Sequence, residues 1–239
     1  MGWQAVSLPL RRRPLPPVGV IDFWLTDLDE LPLEAGPSGL TRRERVLKRR
    51  IQQQFVLRLL LGSYLGRPGK DVIIARQDKG KPVLAPQLAA SGLCFNLSHS
   101  AGWLAIAVAR DLELGVDIET VRELKRPGDL AKRYFPAAEA EWLCGLEAAA
   151  RSPAFLQQWT AREALVKAAG TGIAGALAEI ELAWEPARID KLPLDWPAPE
   201  QWSLLLPETP AGLIATLAAP RPEVELRCQF LRFEVKGER

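Results

Sequence analysis

Three short segments of this 239-residue chain carry side chains that could act on a phosphorylated substrate. They read Phe-Asn-Leu-Ser-His-Ser at residues 95–100, Gly-Val-Asp-Ile-Glu at 115–119 and Trp-Thr-Ala-Arg-Glu-Ala-Leu-Val-Lys at 159–167. Small polar residues in a turn leave backbone amides open to an anion, and carboxylate oxygens are the preferred ligands of hard divalent cations. A lysine adds a point charge for phosphate. The three segments together predict a site for a magnesium-bound pyrophosphate.

The second segment places two carboxylates on one side of a predicted strand. Residues two apart in a strand share a face, so Asp117 and Glu119 lie about 7 Å apart with Val116 and Ile118 on the other face. Such a pair suits a magnesium ion that keeps room for substrate phosphates. The alternative is a half-buried strand with a solvated acidic face. The pair alone leaves both interpretations open.

The third segment places Trp159, Glu163 and Lys167 on one stripe of a helix, because they are four residues apart. A glutamate beside a large tryptophan lies near the edge of the core and needs a partner. Glu163 is then either a third metal ligand, with Lys167 on a substrate phosphate, or half of a helix salt bridge worth roughly 0.3 kcal/mol. The helix by itself does not decide between them.

The first segment holds the one histidine of the chain, His99. With a reference pKa of about 6.5, a histidine can donate a hydrogen bond to a phosphate oxygen; the alternative is a turn histidine with no ligand. Ser98 and His99 are adjacent and their side chains rarely face each other, which argues against a serine hydrolase.

Strands and helices that must position these residues follow from patterning. Strands are predicted at residues 18–26, 72–75, 93–97, 103–109 and 114–118, with broken β segments over 180–235. Thr41 and Glu44 have the spacing of a capping box, and this helix is expected to end near Gly62 or Gly66. Its apolar residues are expected to form the face packed on the core: Leu47, Ile51, Phe55 and Leu59.

Two further helices are predicted in the second half of the chain. One covers residues 129–145. The other is expected to begin with Ser152 as N-cap and Pro153 as first helical residue, and to stop at Gly170. The mixture of strands and helices indicates an α+β fold.

Composition narrows the class of protein. Thirty-one basic and 29 acidic residues give a net charge of +2, so no global bias favours nucleic acid or a membrane surface. The basic residues cluster in the first predicted helix, where a solvated face is the simpler interpretation and a highly phosphorylated ligand the other. Three dispersed cysteines and one histidine support neither a disulfide framework nor a zinc site. Since no apolar run could span a bilayer, we expect an intracellular, cytoplasmic protein.

The three segments resemble the signature motifs of the 4′-phosphopantetheinyl transferases, of the monomeric surfactin-synthetase-activating type. Gly-Lys-Pro at residues 80–82 is similar to the element before the first motif, and residues 133–139 resemble an Arg-Phe-Phe-Ser-x-x-Glu element. All five elements occur in the family's order over about residues 40–175. Two positions depart from the pattern: Arg162 replaces the usual lysine of the third motif, and Pro136 stands where serine is common.

The resemblance implies a fold and an activity. The fold is a pseudo-dimer of two similar α+β halves with the active site in the cleft between them. We assign residues 1–17 to an N-terminal extension that is poorly ordered or wrapped on the surface, 18–112 to one half and 113–239 to the other. The implied enzyme, a holo-[acyl-carrier-protein] synthase, transfers the phosphopantetheine arm of coenzyme A to a serine of an apo acyl, peptidyl or aryl carrier protein. Adenosine 3′,5′-bisphosphate leaves, Mg²⁺ is required, and carriers of fatty-acid, polyketide or nonribosomal-peptide synthesis all remain open.

The resemblance also implies residue roles. Magnesium would be held by Asp117, Glu119 and Glu163; the 3′-phosphate by Ser98 and His99; the nucleotide by Lys81 and Arg43; and the pyrophosphate by Lys167. The base that takes the proton of the carrier serine would be Glu163, favoured for its place beside the metal, or Glu139. Residues 120–132 would select the carrier. The main alternative is a non-catalytic module that binds coenzyme A or a carrier protein.

Overall fold

Two β-sheets packed face to face lie between the two long helices of the chain. The computed structural model describes residues 2–31, 39–77, 79–172 and 176–233. Its strands are β1 (Gln4–Ser7), β2 (Val20–Asp27), β3 (Ile74–Arg76), β4 (Pro82–Leu84), β5 (Leu93–Ser100), β6 (Trp103–Arg110), β7 (Gly115–Thr120), β8 (Glu181–Trp184), β9 (Ala187–Lys191), β10 (Ser203–Leu205), β11 (Leu213–Ala219) and β12 (Glu225–Arg232). Its helices are α1 (Arg42–Leu65), α2 (Pro86–Ala89), α3 (Pro127–Tyr134), α4 (Ala137–Gly145) and α5 (Ala148–Ala169). The predicted α+β class is confirmed.

The first sheet has the strand order β1-β12-β2-β6-β5, and the second has β10-β11-β7. Helix α1 covers the outer face of the first sheet, where Trp24 of β2 and Ile106 of β6 join the core of Leu57 and Leu60. The inner faces of the two sheets share a second core, and α5 covers the outer face of the second sheet. Strands β5 and β7 are the sheet edges that meet beside α5.

Helix α1 begins and ends as predicted, but it packs through a different face. Thr41 caps it with the reciprocal Glu44 contact, and Gly66 ends it with a φ of 65°, a conformation that glycine adopts without strain. The predicted core face is wrong: Leu47, Ile51 and Phe55 are exposed, and the buried apolar residues of this helix are Val56, Leu57, Leu60, Leu61 and Tyr64.

The two helix predictions in the second half need correction. Residues 129–145 form two helices, because Pro136 follows Phe135 and disfavours helical backbone there. Helix α5 begins at Ala148 with Glu147 as N-cap, so Pro153 lies inside the helix. Ser152 does not cap α5; its hydroxyl accepts a hydrogen bond from the Leu124 amide at 3.0 Å.

The N-terminal extension is ordered and joins the first sheet, so the alternative of a poorly ordered segment is wrong. Strand β1 pairs in parallel with β12, and the partly buried side chains of Leu8, Leu10 and Leu15 pack against the first core. Strand β12, from the second predicted half, lies between β1 and β2 in the sheet of the first half. The division at residues 112 and 113 and the likeness of the halves stay predictions.

Candidate active site at the junction of β5, β7 and α5

Glycine at position 115 lets β7 approach α5. A side chain there would overlap the carbonyl oxygen of Ala164 and come within 2.6 Å of the backbone nitrogen of Ala168. The close approach brings Asp117, two residues along β7, to Lys167, which lies on the same helix as Glu163. Backbone packing, rather than any contact with a ligand, therefore explains the glycine of this motif.

Asp117 is buried and engaged through one oxygen. Its Oδ1 accepts hydrogen bonds from the Lys167 ammonium at 2.6 Å and from the Ser98 hydroxyl at 2.7 Å, and the same ammonium donates to the Val116 carbonyl at 3.1 Å. Burial raises the pKa of Asp117, while Lys167 and Ser98 favour its charged form. The residue is thus a buried carboxylate whose charge is balanced by one lysine.

Glu119 lies on the same face of β7, at its more exposed end. Its Oε2 accepts from the Ser100 hydroxyl at 2.8 Å and from the Arg122 guanidinium at 2.7 Å. The Ser100 oxygen in turn accepts from the Thr120 amide at 3.0 Å. These hydroxyl contacts join the edge of β5 to β7, and Ser100 was not among the residues predicted from the sequence.

Glu163 carries an orphaned oxygen. The residue is 6% exposed, and its Oε1 is buried with no hydrogen-bond partner among the described residues. Burial raises the pKa of Glu163, Lys167 opposes that rise, and the charges of Asp117 and Glu119 add to it. Within the same residues Lys167 pairs with Asp117 and not with Glu163, so the simple helix salt bridge is wrong.

Three carboxylates that influence one another, one of them with an unpartnered buried oxygen, fit a hard divalent cation in donor chemistry. In the ranges that the structure describes, no three acidic, histidine or cysteine side chains are arranged closely enough to hold a metal ion. Instead, the ammonium of Lys167 forms an ion pair with Asp117, and the guanidinium of Arg122 forms one with Glu119. The carboxylate donors and the unpartnered Oε1 of Glu163 support a cation site. In this structure, however, the three carboxylates are not arranged around a common coordination point.

A cavity of about 270 Å³ opens beside this acidic cluster. Its lining includes Glu163 and Lys167 of α5 together with Lys81 and Asn96. The Lys81 ammonium also contacts the Glu113 carboxylate at 2.6 Å, which ties the turn before β4 to the segment before β7. Lys81 therefore lines this cavity, and its predicted contact with a nucleotide stays a prediction.

A second cavity, of about 470 Å³, adjoins the first at Pro82 and Leu97 and is strongly basic. Arg49 and Arg50 from α1, Arg76 from β3 and His99 line it. Burial lowers the pKa of His99, and the nearby Lys167 lowers it further; a neutral imidazole still has one nitrogen that can donate. Arg49 and Arg50 were not singled out among the basic residues of α1 because the sequence does not show which side of the helix faces β5. Arg76 was missed because it lies on β3, a separate segment.

Ser98 and His99 point to opposite faces of β5, as neighbours in a strand must. His99 faces the basic cavity, whereas Ser98 donates to Asp117. The structure therefore does not bring the two side chains to one anion. Arg43, predicted to contact the nucleotide, is exposed in the first turn of α1 and lines neither cavity.

Glu139 and Arg162 belong to a different cluster. Arg162 is fully buried, with a 2.7 Å contact to Glu139 Oε2 and further hydrogen bonds to the carbonyls of Gln158, Leu177 and Ile180. The other oxygen of Glu139 accepts from the Leu182 amide at 3.0 Å. Both oxygens are engaged here, so the structure does not bring Glu139 to the acidic cluster, and Arg162 has a structural role.

Parts of this chain are similar to known proteins. The family model described as the 4′-phosphopantetheinyl transferase superfamily matches residues 113–210. A 4′-phosphopantetheinyl transferase of a Nostoc species is 41% identical over 63% of this chain and 61% of its own length. A putative transferase of a Synechocystis species is 33% identical over 66% of this chain and 68% of its own length. The chain belongs to the 4′-phosphopantetheinyl transferase superfamily.

Other relatives of the superfamily are matched over shorter stretches. A transferase of Bacillus pumilus is 29% identical over 54% of this chain and 53% of its own length, so the chain spans about half to two thirds of the relatives it matches. A Thermotoga maritima holo-[acyl-carrier-protein] synthase structure is 16% identical, covers 46% of this chain and 64% of its own, and has a TM-score of 0.35. Separately, none of the helices within the described residues has the length and apolar character of a membrane span.

Proposed function

We propose that this protein transfers the 4′-phosphopantetheine arm of coenzyme A to a serine of an apo carrier protein and releases adenosine 3′,5′-bisphosphate. The observation that carries the proposal is the buried cluster of Asp117, Glu163 and Lys167 beside a cavity. The adjoining basic cavity, which His99 of β5 lines, suits a phosphate group in addition to the pyrophosphate. Coenzyme A requires both kinds of site, because it carries a pyrophosphate and a 3′-phosphate.

Asp117, Glu119 and Glu163 are the residues that would hold Mg²⁺, which when bound neutralises charge on the pyrophosphate leaving group. Lys167 lines the cavity and supplies a further positive charge to a pyrophosphate oxygen. Lys81, which also lines the cavity, is assigned to the nucleotide side of the coenzyme.

The 3′-phosphate is assigned to the basic cavity formed by His99 with Arg49, Arg50 and Arg76. Pro82 and Leu97 line both cavities, so the two spaces adjoin and one extended ligand can occupy them. This assignment keeps His99 as a phosphate donor and replaces Ser98 and Arg43 by arginines of α1 and β3.

Glu163 is the proposed general base. The serine hydroxyl of the carrier attacks the phosphorus that bears the pantetheine arm, its proton passes to Glu163, and the bond from that phosphorus to the bridging oxygen breaks. Its Oε1 is buried and has no hydrogen-bond partner among the described residues, so this oxygen can accept the proton. Both oxygens of Glu139 are hydrogen-bonded to Arg162 and the Leu182 amide, which supports Glu163 over Glu139 as the base.

The carrier surface is proposed at residues 120–132, from the end of β7 into α3. Leu130 and Val121 are exposed apolar side chains in this stretch, and Lys125 and Arg126 are candidates for acidic groups on a carrier. We also propose a cytoplasmic monomer without nucleic-acid or membrane partners. The nearly balanced charge and the free thiols of the three cysteines support this.

The test is incubation of the protein with Mg²⁺, coenzyme A and a panel of apo acyl, peptidyl and aryl carriers. We expect the mass of at least one carrier to rise by one phosphopantetheine arm, and the Asp117→Asn variant to leave all masses unchanged. No mass change in any carrier overturns the proposal. Coenzyme A binding measured by calorimetry without any transfer would indicate the non-catalytic module instead.

The phosphate assignment has its own test. His99→Ala removes one donor to the 3′-phosphate, so KM for coenzyme A should rise about tenfold with kcat retained, as for the loss of a hydrogen bond to a charged group. KM for dephospho-coenzyme A, which lacks that phosphate, should not change. An equal effect on both donors, or loss of turnover at saturating coenzyme A, contradicts the assignment.

A further inference from the structure

We infer that Lys167 couples the binding of the divalent cation to the binding of coenzyme A. The inference rests on the proposed function and concerns how the two ligands affect each other, not whether transfer occurs. Lys167 is shared between Asp117, a proposed cation ligand, and the cavity proposed for the pyrophosphate. The same ammonium therefore interacts with the proposed cation site and with the proposed pyrophosphate site.

The contact of Lys167 with Asp117 opposes a cation. Its Nζ lies 2.6 Å from Oδ1, and the Val116 carbonyl at 3.1 Å holds it in place. The Ser98 hydroxyl uses the same Oδ1. A divalent ion at this buried carboxylate would stand close to an ammonium in a weakly screened site, where like charges repel strongly.

A pyrophosphate in the cavity relieves that repulsion. The Lys167 side chain is 27% exposed and lines the cavity, so rotation of its flexible stem can move the ammonium from Asp117 to a phosphate oxygen. That movement leaves Asp117 for the cation. Because coupling between two ligands is reciprocal, the cation must then strengthen coenzyme binding by the same factor.

The other two carboxylates do not carry this coupling. Glu119 is paired with Arg122, whose side chain is half exposed, and exposed ion pairs are weak. Glu163 has an orphaned oxygen and no cation of its own among the described residues. Arg122 is therefore the matched control for Lys167: each is a basic side chain on one carboxylate of β7.

The experiment measures the dissociation constant of Mn²⁺, a spectroscopic probe for the Mg²⁺ site, by electron paramagnetic resonance with and without coenzyme A. No carrier is present, so no transfer takes place, and binding of Mn²⁺ to coenzyme A alone is subtracted. In the native protein we expect coenzyme A to tighten Mn²⁺ binding by about 30-fold, within the usual range of coupling between sites.

Lys167→Met should bind Mn²⁺ without coenzyme about tenfold more tightly than the native protein, and should reduce the coupling to about threefold or less. Lys167→Arg keeps the charge and should restore weak binding without coenzyme. Arg122→Met should change neither constant by more than about twofold. Circular dichroism confirms that each variant is folded.

Two results overturn the inference. One is a native protein whose Mn²⁺ affinity is the same with and without coenzyme A, a measurement that needs no variant. The other is a folded Lys167→Met variant that binds Mn²⁺ no more tightly than the native protein. Failure of the proposed function looks different: coupling would be observed while no carrier changes mass.

Discussion

The two long helices carry similar sequence patterns and use them differently. In α5 the four-residue spacing of Trp159, Glu163 and Lys167 predicts one functional stripe, and the structure places all three along the side that meets β7 and the α3–α4 layer. In α1 the same spacing of Leu47, Ile51 and Phe55 predicts a core face, yet these side chains are 57%, 56% and 47% exposed.

The difference comes from what else lies on each helix. The second half of α1 is apolar on several faces, so periodicity allows more than one packing direction, and the sheet selects the side of Val56, Leu57 and Leu60. The first ten residues of α1 include none that is fully buried. In α5, by contrast, the buried charges of Arg162 and Glu163 each need a particular environment, which fixes the rotation of the helix.

The largest expected effect is a loss of activity for a substitution on α5, compared with a substitution on α1. Glu163→Gln removes the proposed base and a cation ligand, so kcat/KM for carrier modification should fall about 1,000-fold or more while the thermal midpoint is retained. Leu47→Ala on α1 should change kcat/KM by less than about twofold, since surface substitutions are mild. A Glu163→Gln protein within tenfold of the native rate would remove the functional distinction between the helices.

The next effect concerns stability within α5. Arg162→Met leaves Glu139 and the Leu177 and Ile180 carbonyls without their donor, so urea unfolding should show a loss of about 3–5 kcal/mol. Arg43→Met, on the exposed first turn of α1, should cost less than about 0.5 kcal/mol. Equal losses in the two variants would show that Arg162 does not anchor α5.

A smaller effect on stability tests the hydrogen bonds that join α1 to β2. Trp24 donates to the Tyr64 hydroxyl at 2.8 Å, and that hydroxyl donates to Asp22 at 2.6 Å, all three being buried. Tyr64→Phe leaves a buried carboxylate and an indole N–H unpaired, so the free energy of unfolding at pH 7 should fall by about 2 kcal/mol.

The pH dependence of this loss has a definite sign. Burial raises the pKa of Asp22 above 3.8, its value in the unfolded chain, although the Tyr64 hydrogen bond opposes the rise. Between 3.8 and the raised native pKa, the folded state binds more protons than the unfolded state, so protonation favours folding. The loss in Tyr64→Phe, whose Asp22 pKa rises further, should shrink as pH falls towards 3.8. A loss that grows instead, in urea titrations at several pH values, contradicts the network.

The smallest expected effect lies on the exposed face of α1. Ile51→Ala should change the free energy of unfolding by no more than about 0.5 kcal/mol, because its side chain meets solvent. Leu60→Ala, on the buried side of the same helix, should cost about 2–5 kcal/mol. Similar costs for both would mean that the exposed face is packed in solution and would remove the contrast with α5.

Local patterns predicted the two ends of α1 and the shared face of Asp117 and Glu119, because capping and strand alternation depend on neighbours in sequence. The opposite orientation of the Ser98 and His99 side chains could also have been predicted from strand alternation. Strand β5 was predicted to stop at residue 97, and its continuation to Ser100 puts the two side chains on opposite faces.

Contacts between distant segments were not predictable in the same way. Nothing near Arg49 or Arg76 in sequence indicates that they line one cavity with His99, since α1, β3 and β5 meet only in the folded chain. The salt bridge between Glu139 and Arg162 likewise depends on how α4 packs on α5. Residue types at the site were predictable, whereas their pairing required the tertiary structure.

The position of β12 has a consequence for how the molecule is assembled. This strand, residues 225–232, is the parallel neighbour of β2, and the Thr26 hydroxyl of β2 donates to the Leu231 carbonyl. During synthesis on a ribosome, β2 is made some 200 residues earlier and keeps an open hydrogen-bonding edge until β12 emerges. Closing so long a loop is slow, so a chaperone that shields the edge of β2 would raise the yield of folded protein.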